Sequence, residues 1–285
     1  MQPELIADYQ CACGEGPLWH PLEKKLYWVD IPTGRLFRYE PATGAHETVL
    51  ETEPIGGFTI QADGALLLFM AKGAVKLWRN GKLTPVIAGL PDECSSRFND
   101  VIADPAGRVF CGTMPSRQGP GRLYRLSTNG GINKVLDGVQ CSNGMAFTPD
   151  RKRMYYTDSF RHEIYIFDYD WRSGELTNRR LFVRVPAAQG FPDGMTVDAE
   201  GRVWSAMWDG HCLIRYSPKG KVLLRVAFPA KKVSSLIFGG ADYSDIYVTT
   251  AGGNNKQTEG KRAGALFRVR LGIKGVAEFA SRIRC

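Results

Sequence analysis

The amino-acid sequence predicts an all-β protein, a single six-bladed β-propeller with four antiparallel strands in each blade. Three observations indicate this fold. A hydrophobic, often aromatic strand core recurs six times, turn-forming residues flank most of these cores, and no long segment has the periodicity of a helix. The 32 glycines and 16 prolines of the 285-residue chain suit such a turn-rich architecture.

The six strand cores set the period of the repeat. They occupy residues 26–28, 66–68, 109–111, 154–156, 203–205 and 246–248, so that their starts are separated by 40, 43, 45, 49 and 43 residues. This spacing is too long for a leucine-rich repeat and suits a four-stranded propeller blade. No linker interrupts the series, and we therefore expect one domain that spans residues 1–285.

The segments around each core supply the remaining strands. Turns rich in Asp, Pro or Gly precede most cores, as at 61–64, 104–107, 149–152 and 198–201. After most cores, a second hairpin leads to a segment in which polar and apolar residues alternate, as at 35–39, 122–126, 163–167 and 265–269. Alternation with a period of two is typical of half-buried strands, so these segments are predicted to be further strands of their blades.

Composition and charge narrow the classes of function. No apolar run reaches the roughly 18 residues of a membrane span, and residues 1–10 lack the features of a signal peptide, so a cytoplasmic protein with no membrane partner is expected. The net charge of +8 is spread along the chain, which argues against a nucleic-acid partner. The seven cysteines fit neither a disulfide framework nor a zinc motif, and most are expected to be buried thiols. We expect a monomer or a weak homo-oligomer.

Four short motifs hold an oxygen-bearing side chain in or beside a glycine-rich turn. The key residues of the motifs are Glu15, Asn99, Asn143 and Asp193. They precede a residue of the next strand core by 13, 10, 12 and 11 positions, respectively. The innermost strand of each propeller blade lines a central channel. Because the four residues occupy nearly equivalent places in blades one, three, four and five, we expect them to converge at one mouth of that channel.

These side chains together predict a metal site. Two carboxylates, from Glu15 and Asp193, would combine with the amide oxygen of Asn143 and, as a further candidate, that of Asn99. Such oxygen ligands suit one divalent ion, namely calcium, magnesium or manganese, and zinc or iron(II) could also occupy the site. Each motif alone would be read as a plain turn, because Asn-Gly and Asp-Gly are strong turn dipeptides. Their common register across four blades favours the metal site.

Arg97 lies two residues before Asn99, on the same face of an extended segment. A guanidinium group in this place can bind a substrate oxygen or carboxylate through paired hydrogen bonds. The alternative is that Arg97 neutralises Asp100 or Asp104. The sequence leaves both interpretations open.

At these motifs the chain resembles the regucalcin (senescence marker protein)/gluconolactonase family, from about Cys13 to about Phe279. The similarity is carried by segments 14–17, 97–100, 112–114, 142–144, 192–195, 167–170, 176–180 and 271–276. The resemblance implies a propeller with one catalytic divalent metal held by Glu15, Asn143 and Asp193. It further implies that Arg97 binds substrate and that Asn99 contacts substrate or approaches the metal.

The resemblance also implies a reaction, the hydrolysis of a small sugar lactone to its aldonic acid. The metal would polarise the carbonyl and activate water, and Asp193 is our candidate general base. Two alternatives stay open. The same site could hydrolyse an aryl ester or an organophosphate, or the protein could be a metal-binding propeller without catalytic activity.

Overall fold

The computed structural model describes residues 2–285 and contains six antiparallel sheets of four strands each, which confirms the predicted propeller. The first strand of the chain, β1 (Glu4–Ala7), belongs to the last blade. Blades one to three follow in chain order. They consist of β2 (Gly14–His20), β3 (Lys25–Asp30), β4 (Arg35–Glu40) and β5 (Ala45–Glu51); β6 (Ile55–Ile60), β7 (Leu66–Met70), β8 (Val75–Arg79) and β9 (Lys82–Ile87); and β10 (Phe98–Ala103), β11 (Val109–Thr113), β12 (Gly121–Leu126) and β13 (Ile132–Val139).

Blades four to six have the same organisation. They consist of β14 (Ser142–Phe147), β15 (Arg153–Asp158), β16 (Glu163–Asp170) and β17 (Glu175–Arg184); β18 (Phe191–Val197), β19 (Val203–Trp208), β20 (Cys212–Tyr216) and β21 (Val222–Ala227); and β22 (Lys232–Gly239), β23 (Asp245–Ala251), β24 (Leu266–Arg270) and β1. Because β1 pairs with β24, strands from the two ends of the chain share one sheet, and backbone hydrogen bonds close the ring. The sequence analysis did not assign this closing strand.

Helical structure is confined to short turns in the described part of the chain. One α-helix, α1 (Lys256–Glu259), has four residues, and 3-10 turns occupy Pro91–Glu93, Ser159–Arg161, Ala187–Gln189 and Gly253–Asn255. None of the helices within residues 2–285 has the length and apolar character needed to cross a bilayer.

The recurring strand cores lie in the second strand of each blade, and these strands supply much of the hydrophobic core. Trp28, Tyr156, Trp204 and Tyr247 come from four of these strands and are almost fully buried. Neighbouring blades meet through such aromatic rings; the Trp204 ring, for example, meets that of Phe238 edge-on at 6.0 Å between centroids. Edge-to-face contact is a favoured arrangement of aromatic pairs, so these rings hold adjacent blades at a defined angle.

A β-bulge interrupts the innermost strand of every blade at an equivalent place. The register shifts lie between residues 15 and 18, 55 and 57, 98 and 101, 143 and 145, 192 and 195, and 233 and 235. A bulge bends the strand and redirects the side chains beside it. At Gly144, a Cβ atom would lie 2.4 Å from the backbone oxygen of Asp193, so only glycine permits blades four and five to approach this closely.

Residues 274–285, which we call the closing segment, cross the end of the channel opposite the predicted site. The segment forms backbone hydrogen bonds to blades five and six through Ala199 and Tyr243, and to blades two and three through Ile60 and Gly107. It also packs on blade four, where the rings of Phe279 and Phe147 meet at 6.0 Å. A segment that contacts five blades restrains their relative movement.

The closing segment places the Glu278 carboxyl group beside an internal cavity of about 70 Å³ that Asp100 also lines. Its one hydrogen bond is accepted from the Thr196 hydroxyl at 3.3 Å. Burial raises the pKa of Glu278 from 4.5 to about 7. Because the pKa of this carboxyl group is higher in the folded protein than in the unfolded chain, its protonated form favours folding. This contribution to stability is fully present at pH values below 4.5 and is lost as the pH rises through 7.

We therefore expect Glu278→Gln to remove a pH-dependent cost of folding. The two proteins should have similar free energies of unfolding at pH 4.5, and the variant should be more stable by about 1–2 kcal/mol at pH 8, after allowance for water in the adjoining cavity. Urea unfolding at the two pH values measures this difference. Equal pH dependence of the two proteins would contradict a raised pKa at Glu278.

Candidate functional site

The structure brings all five residues predicted for the site to one cavity. Glu15, Arg97, Asn99, Asn143 and Asp193 line a space of about 320 Å³ at the mouth of the channel. The four residues other than Arg97 are each at most 6% exposed. The volume lies within the range of small-molecule binding sites, at its lower end.

The matching positions in the other two blades carry small residues. Gly56 and Ser234 take the equivalent places beside the bulges of blades two and six. The Ser234 hydroxyl is directed at blade one, where it donates to the backbone oxygen of Gly14 at 2.5 Å. Blades two and six therefore leave the space between the four polar side chains free.

A chain of hydrogen bonds connects the side chains of blades three and four. One N–H group of Arg97 donates to Asn99 Oδ1 at 2.6 Å, and Asn99 Nδ2 donates to Asn143 Oδ1 at 2.9 Å. Asn99 Nδ2 also donates to the backbone oxygen of Ser142 at 2.8 Å. The two asparagines are therefore held in fixed orientations, and the oxygen of each accepts a hydrogen bond from the preceding member of the network.

Ser159, which the sequence analysis missed, determines which way the Asn143 amide faces. The Ser159 hydroxyl lies 2.6 Å from the backbone oxygen of Pro192, which can only accept a hydrogen bond. The single hydroxyl proton is used there, so the hydroxyl oxygen must accept from Asn143 Nδ2, which lies 2.8 Å away. The Asn143 NH₂ group thus faces Ser159, and its oxygen faces the NH₂ group of Asn99.

We expect Ser159→Ala to weaken metal binding about tenfold, because the Asn143 amide would lose the contact that orients its oxygen. Titration of metal-free protein with calcium or manganese, followed by calorimetry, measures this change. Ser95→Ala is a suitable control, because Ser95 is exposed and its hydroxyl contacts only that of Ser116. Unchanged affinity in Ser159→Ala would show that Asn143 holds its orientation without the serine.

The two carboxyl groups of the site are buried and form no ion pair within residues 2–285, although the charge of Arg97 lowers the pKa of each to a smaller extent than burial raises it. No ion pair within 4.0 Å involves Glu15 or Asp193 in the described residues. Burial raises the pKa of Glu15 well above its usual range, and the nearby Asp100 carboxyl adds to the effect. The pKa of Asp193 is raised by burial, then by the charges of Glu15 and Asp100. Without a cation, these groups resist ionisation.

Arg97 is directed at the site and not at the acidic residues that follow it. Asp104 pairs with Arg108 at 2.5 Å, and Arg97 forms no ion pair with Asp100 or Asp104 within 4.0 Å in residues 2–285. The positive charge of Arg97 nevertheless lowers the pKa of Asp100, in part offsetting burial. The alternative in which Arg97 forms an ion pair with either aspartate is therefore not observed.

The donor chemistry of the cavity fits a hard divalent cation. Two carboxylates and one oriented amide oxygen are the ligand types that calcium, magnesium and manganese prefer. In the part of the chain that the structure describes, no group of three or more His, Cys, Asp or Glu side chains has an arrangement that could hold a metal ion. The candidate ligand set contains two such residues, Glu15 and Asp193, and completes its oxygen donors with an amide.

Two cysteines also lie at the cavity. Cys141 and Cys13 line it, and Cys141 Sγ lies 3.7 Å from Asn143 Nδ2. Burial, followed by the charge of Asp193, raises the pKa of Cys141. Both thiols are consequently held in the neutral form, which is a poor nucleophile. All seven cysteines are free in the structure, in agreement with the prediction from their spacing.

Residues 13–252 match the family described as SMP-30/Gluconolactonase/LRE-like region, and the chain belongs to this family. Pentonolactonase XacC of Haloferax volcanii is 48% identical to this chain over 288 residues, which cover 98% of each protein. Regucalcin of Homo sapiens is 34% identical over 291 residues, which cover 97% of each protein. These findings confirm the family that the sequence motifs indicated.

Solved structures show the same architecture over nearly the whole chain. A calcium-binding regucalcin from Agrobacterium tumefaciens superposes with a TM-score of 0.91 and 25% identity, covering 99% of this chain and 97% of that one. A luciferin-regenerating enzyme superposes with a TM-score of 0.88 and 28% identity, covering 99% and 100% of the two chains. A gluconolactonase from Xanthomonas campestris, at 24% identity and a TM-score of 0.77, supports the fold alone; the match covers 94% of this chain and 88% of that one.

Proposed function

We propose that the protein is a divalent-metal-dependent lactonase that opens a small sugar lactone to its aldonic acid. The observation that carries this proposal is the pair of buried carboxyl groups, Glu15 and Asp193, which share one cavity and form no ion pair within 4.0 Å in the described residues. Burying ionised carboxylates is costly unless a cation compensates them. A bound metal ion would supply that compensation, and the open side of the cavity would admit the substrate.

Three residues would hold the metal: Glu15, Asn143 and Asp193. When bound, a divalent ion polarises the lactone carbonyl and makes water more acidic. Asp193 has two carboxylate oxygens, so one can bind the ion while the other accepts a proton from the attacking water. A bound cation would lower the pKa of Asp193, so the proton transfer would depend on the greater acidity that the ion gives to water.

The remaining predicted residues would orient the substrate. The Arg97 guanidinium already uses its Nη1 group on Asn99 and the backbone oxygen of Phe98, which leaves its Nη2 and Nε donors for the hydroxyl or ring oxygens of a lactone. Since Asn99 is hydrogen-bonded to both Arg97 and Asn143, it fixes the distance between the substrate-binding group and a metal-binding group. Precise positioning of this kind contributes strongly to catalysis.

The named relatives agree with this proposal. The relative at 48% identity is a pentonolactonase, and the superposed regucalcin is described as calcium-binding. We infer a five-carbon sugar lactone as the first substrate to test and calcium as the first metal. The location proposed for the protein remains the cytoplasm.

The test is a pH-drop assay on five- and six-membered sugar lactones, with aryl esters and a phosphotriester as the competing substrate classes. Metal-stripped protein would be reloaded with calcium, magnesium, manganese, zinc or iron(II) in turn. Metal-dependent turnover of a lactone at rates well above those of the esters supports the proposal. Faster turnover of aryl esters or phosphotriesters would favour the alternative hydrolase, and metal binding without turnover would favour a binding protein.

A further inference from the structure

The cavity has two chemically different sides. Arg97 and Asn99, both on blade three, supply hydrogen-bonding groups. Three aromatic rings from blades four and five line the cavity as well, and we call them the aromatic wall: Phe160, Phe191 and Trp208. Nothing in the proposed reaction so far uses these rings.

The aromatic wall is a continuous surface. Phe191 and Trp208 are directly paired across β18 and β19, so their side chains stand on the same face of the sheet. The Phe160 ring, from the turn after β15, meets Phe191 edge-on at 6.1 Å between centroids. Phe160 is 55% exposed although it is a large aromatic residue, so much of its ring is free for contact.

Neighbouring side chains hold the wall in place. The His162 ring stacks on Phe191 at 4.4 Å between centroids. Lys232 Nζ lies 5.5 Å from the centre of the Trp208 ring, a cation–π contact. Lys232 is itself fixed by Glu259 at 2.5 Å and Asp209 at 3.2 Å. The rings are therefore positioned before any substrate binds.

Apart from the indole N–H of Trp208, the wall offers no hydrogen-bonding group to a bound molecule. Ser159, which precedes Phe160 in the chain, also lines the cavity, and its hydroxyl group is already committed to Pro192 and Asn143. A hydroxyl group placed against the faces of the three rings would lose water without gaining a partner. The C–H bonds of a sugar ring carry a small positive charge and pack well on the negative faces of aromatic rings.

We propose that the aromatic wall is the specificity-determining surface of the site and that it binds the C–H face of a small lactone ring. The substrate class is a monocyclic lactone whose hydroxyl groups lie on the edge that faces Arg97. Lys232 acts as a positioning residue, because it touches Trp208 and not the substrate. This inference rests on the proposed lactonase function and specifies the substrate of the same site.

The first arm of the test removes one ring of the wall. Phe160→Ala is expected to raise KM about tenfold and to change kcat less than threefold, since the ring contacts the substrate but not the reacting atoms. The factor should be the same for a five-carbon sugar lactone and for γ-butyrolactone, which has no hydroxyl groups, because both present C–H bonds to the wall. Trp171→Ala is the matched control, as Trp171 is also 55% exposed but lies outside the cavity.

The second arm tests the positioning role. Lys232→Gln should raise KM about threefold and alter tryptophan fluorescence, whereas Lys232→Arg should restore both. Lys231→Gln is the control, because Lys231 is the adjacent lysine and its contact to Asp209 is longer, at 3.8 Å.

The outcomes separate this inference from the proposed function. If the wild-type protein hydrolyses lactones and Phe160→Ala keeps the wild-type KM, the proposed role of the aromatic wall is wrong and the proposed lactonase function is unaffected. A KM penalty seen only with the hydroxylated lactone would also contradict the role of the wall, since the wall would then act through hydroxyl groups. Wild-type protein that is inert toward every lactone would overturn the lactonase and this inference together.

Discussion

Replacement of Asp193 by asparagine is expected to lower kcat/KM for lactone hydrolysis by at least about 10³-fold. Asparagine has nearly the same shape, so the packing at the channel mouth should persist. The substitution removes a negative charge from the ligand set together with the only proposed proton acceptor. Steady-state kinetics with the metal at saturation, accompanied by measurement of bound metal, tests both consequences.

The stability of the same variant distinguishes loss of function from loss of fold. Burial and the charges of Glu15 and Asp100 raise the pKa of Asp193, so its ionised form is unfavourable in the metal-free protein. Metal-free Asp193→Asn should therefore be at least as stable as metal-free wild type at pH 8. Asp168→Asn is the control, because it removes a carboxylate outside the cavity whose side chain is 39% exposed and pairs with Arg180. An Asp193→Asn protein that keeps its metal and its turnover would exclude Asp193 from the role proposed here.

The sequence was sufficient to predict the parts of the molecule that repeat. Asn143 and Asp193 lie far apart in the chain, but their offsets from a strand core are nearly equal, at 12 and 11 residues. Rotation about one axis converts a nearly equal offset into spatial proximity, which is why the blades and four of the cavity residues could be predicted together, with Arg97 following from its spacing to Asn99. The bulge at each of these positions, found in the structure, gives the physical basis of the convergence.

The parts that do not repeat were not predictable in this way. Strand β1 is the outermost strand of blade six but comes from the opposite end of the chain, and the closing segment has no counterpart in other blades, so the repeat period predicts neither of them. Ser159 lies in a 3-10 turn after β15, and its effect on Asn143 depends on which atom donates each hydrogen bond. The aromatic wall depends on the pairing of Phe191 with Trp208. A sequence pattern does not determine strand register to within one residue, so this pair could not be predicted.

The closing segment has a stabilising role that can be measured apart from catalysis. Ile283 lies at the channel end remote from the predicted metal ligands and is 5% exposed. Its side chain belongs to a hydrophobic cluster with Leu67, Val109 and Leu126, so it joins residues of blades two and three. The Gln61 side chain also hydrogen-bonds both the N–H and the C=O of Ile283, at 3.1 and 2.8 Å.

We expect Ile283→Ala to lower the free energy of unfolding by about 2–4 kcal/mol and Ile283→Val by about 1 kcal/mol. The backbone bonds to Gln61 are available in both variants, so the difference reports side-chain packing alone. Urea unfolding measures this difference in the free energy of unfolding. Leu22→Ala is the control: Leu22 is 68% exposed, so the substitution should change stability by less than about 0.5 kcal/mol. At 25 °C the folded Ile283→Ala protein should retain its lactone kcat/KM, because no cavity residue is altered. Wild-type stability in Ile283→Ala would mean that the closing segment is not packed between blades two and three in solution.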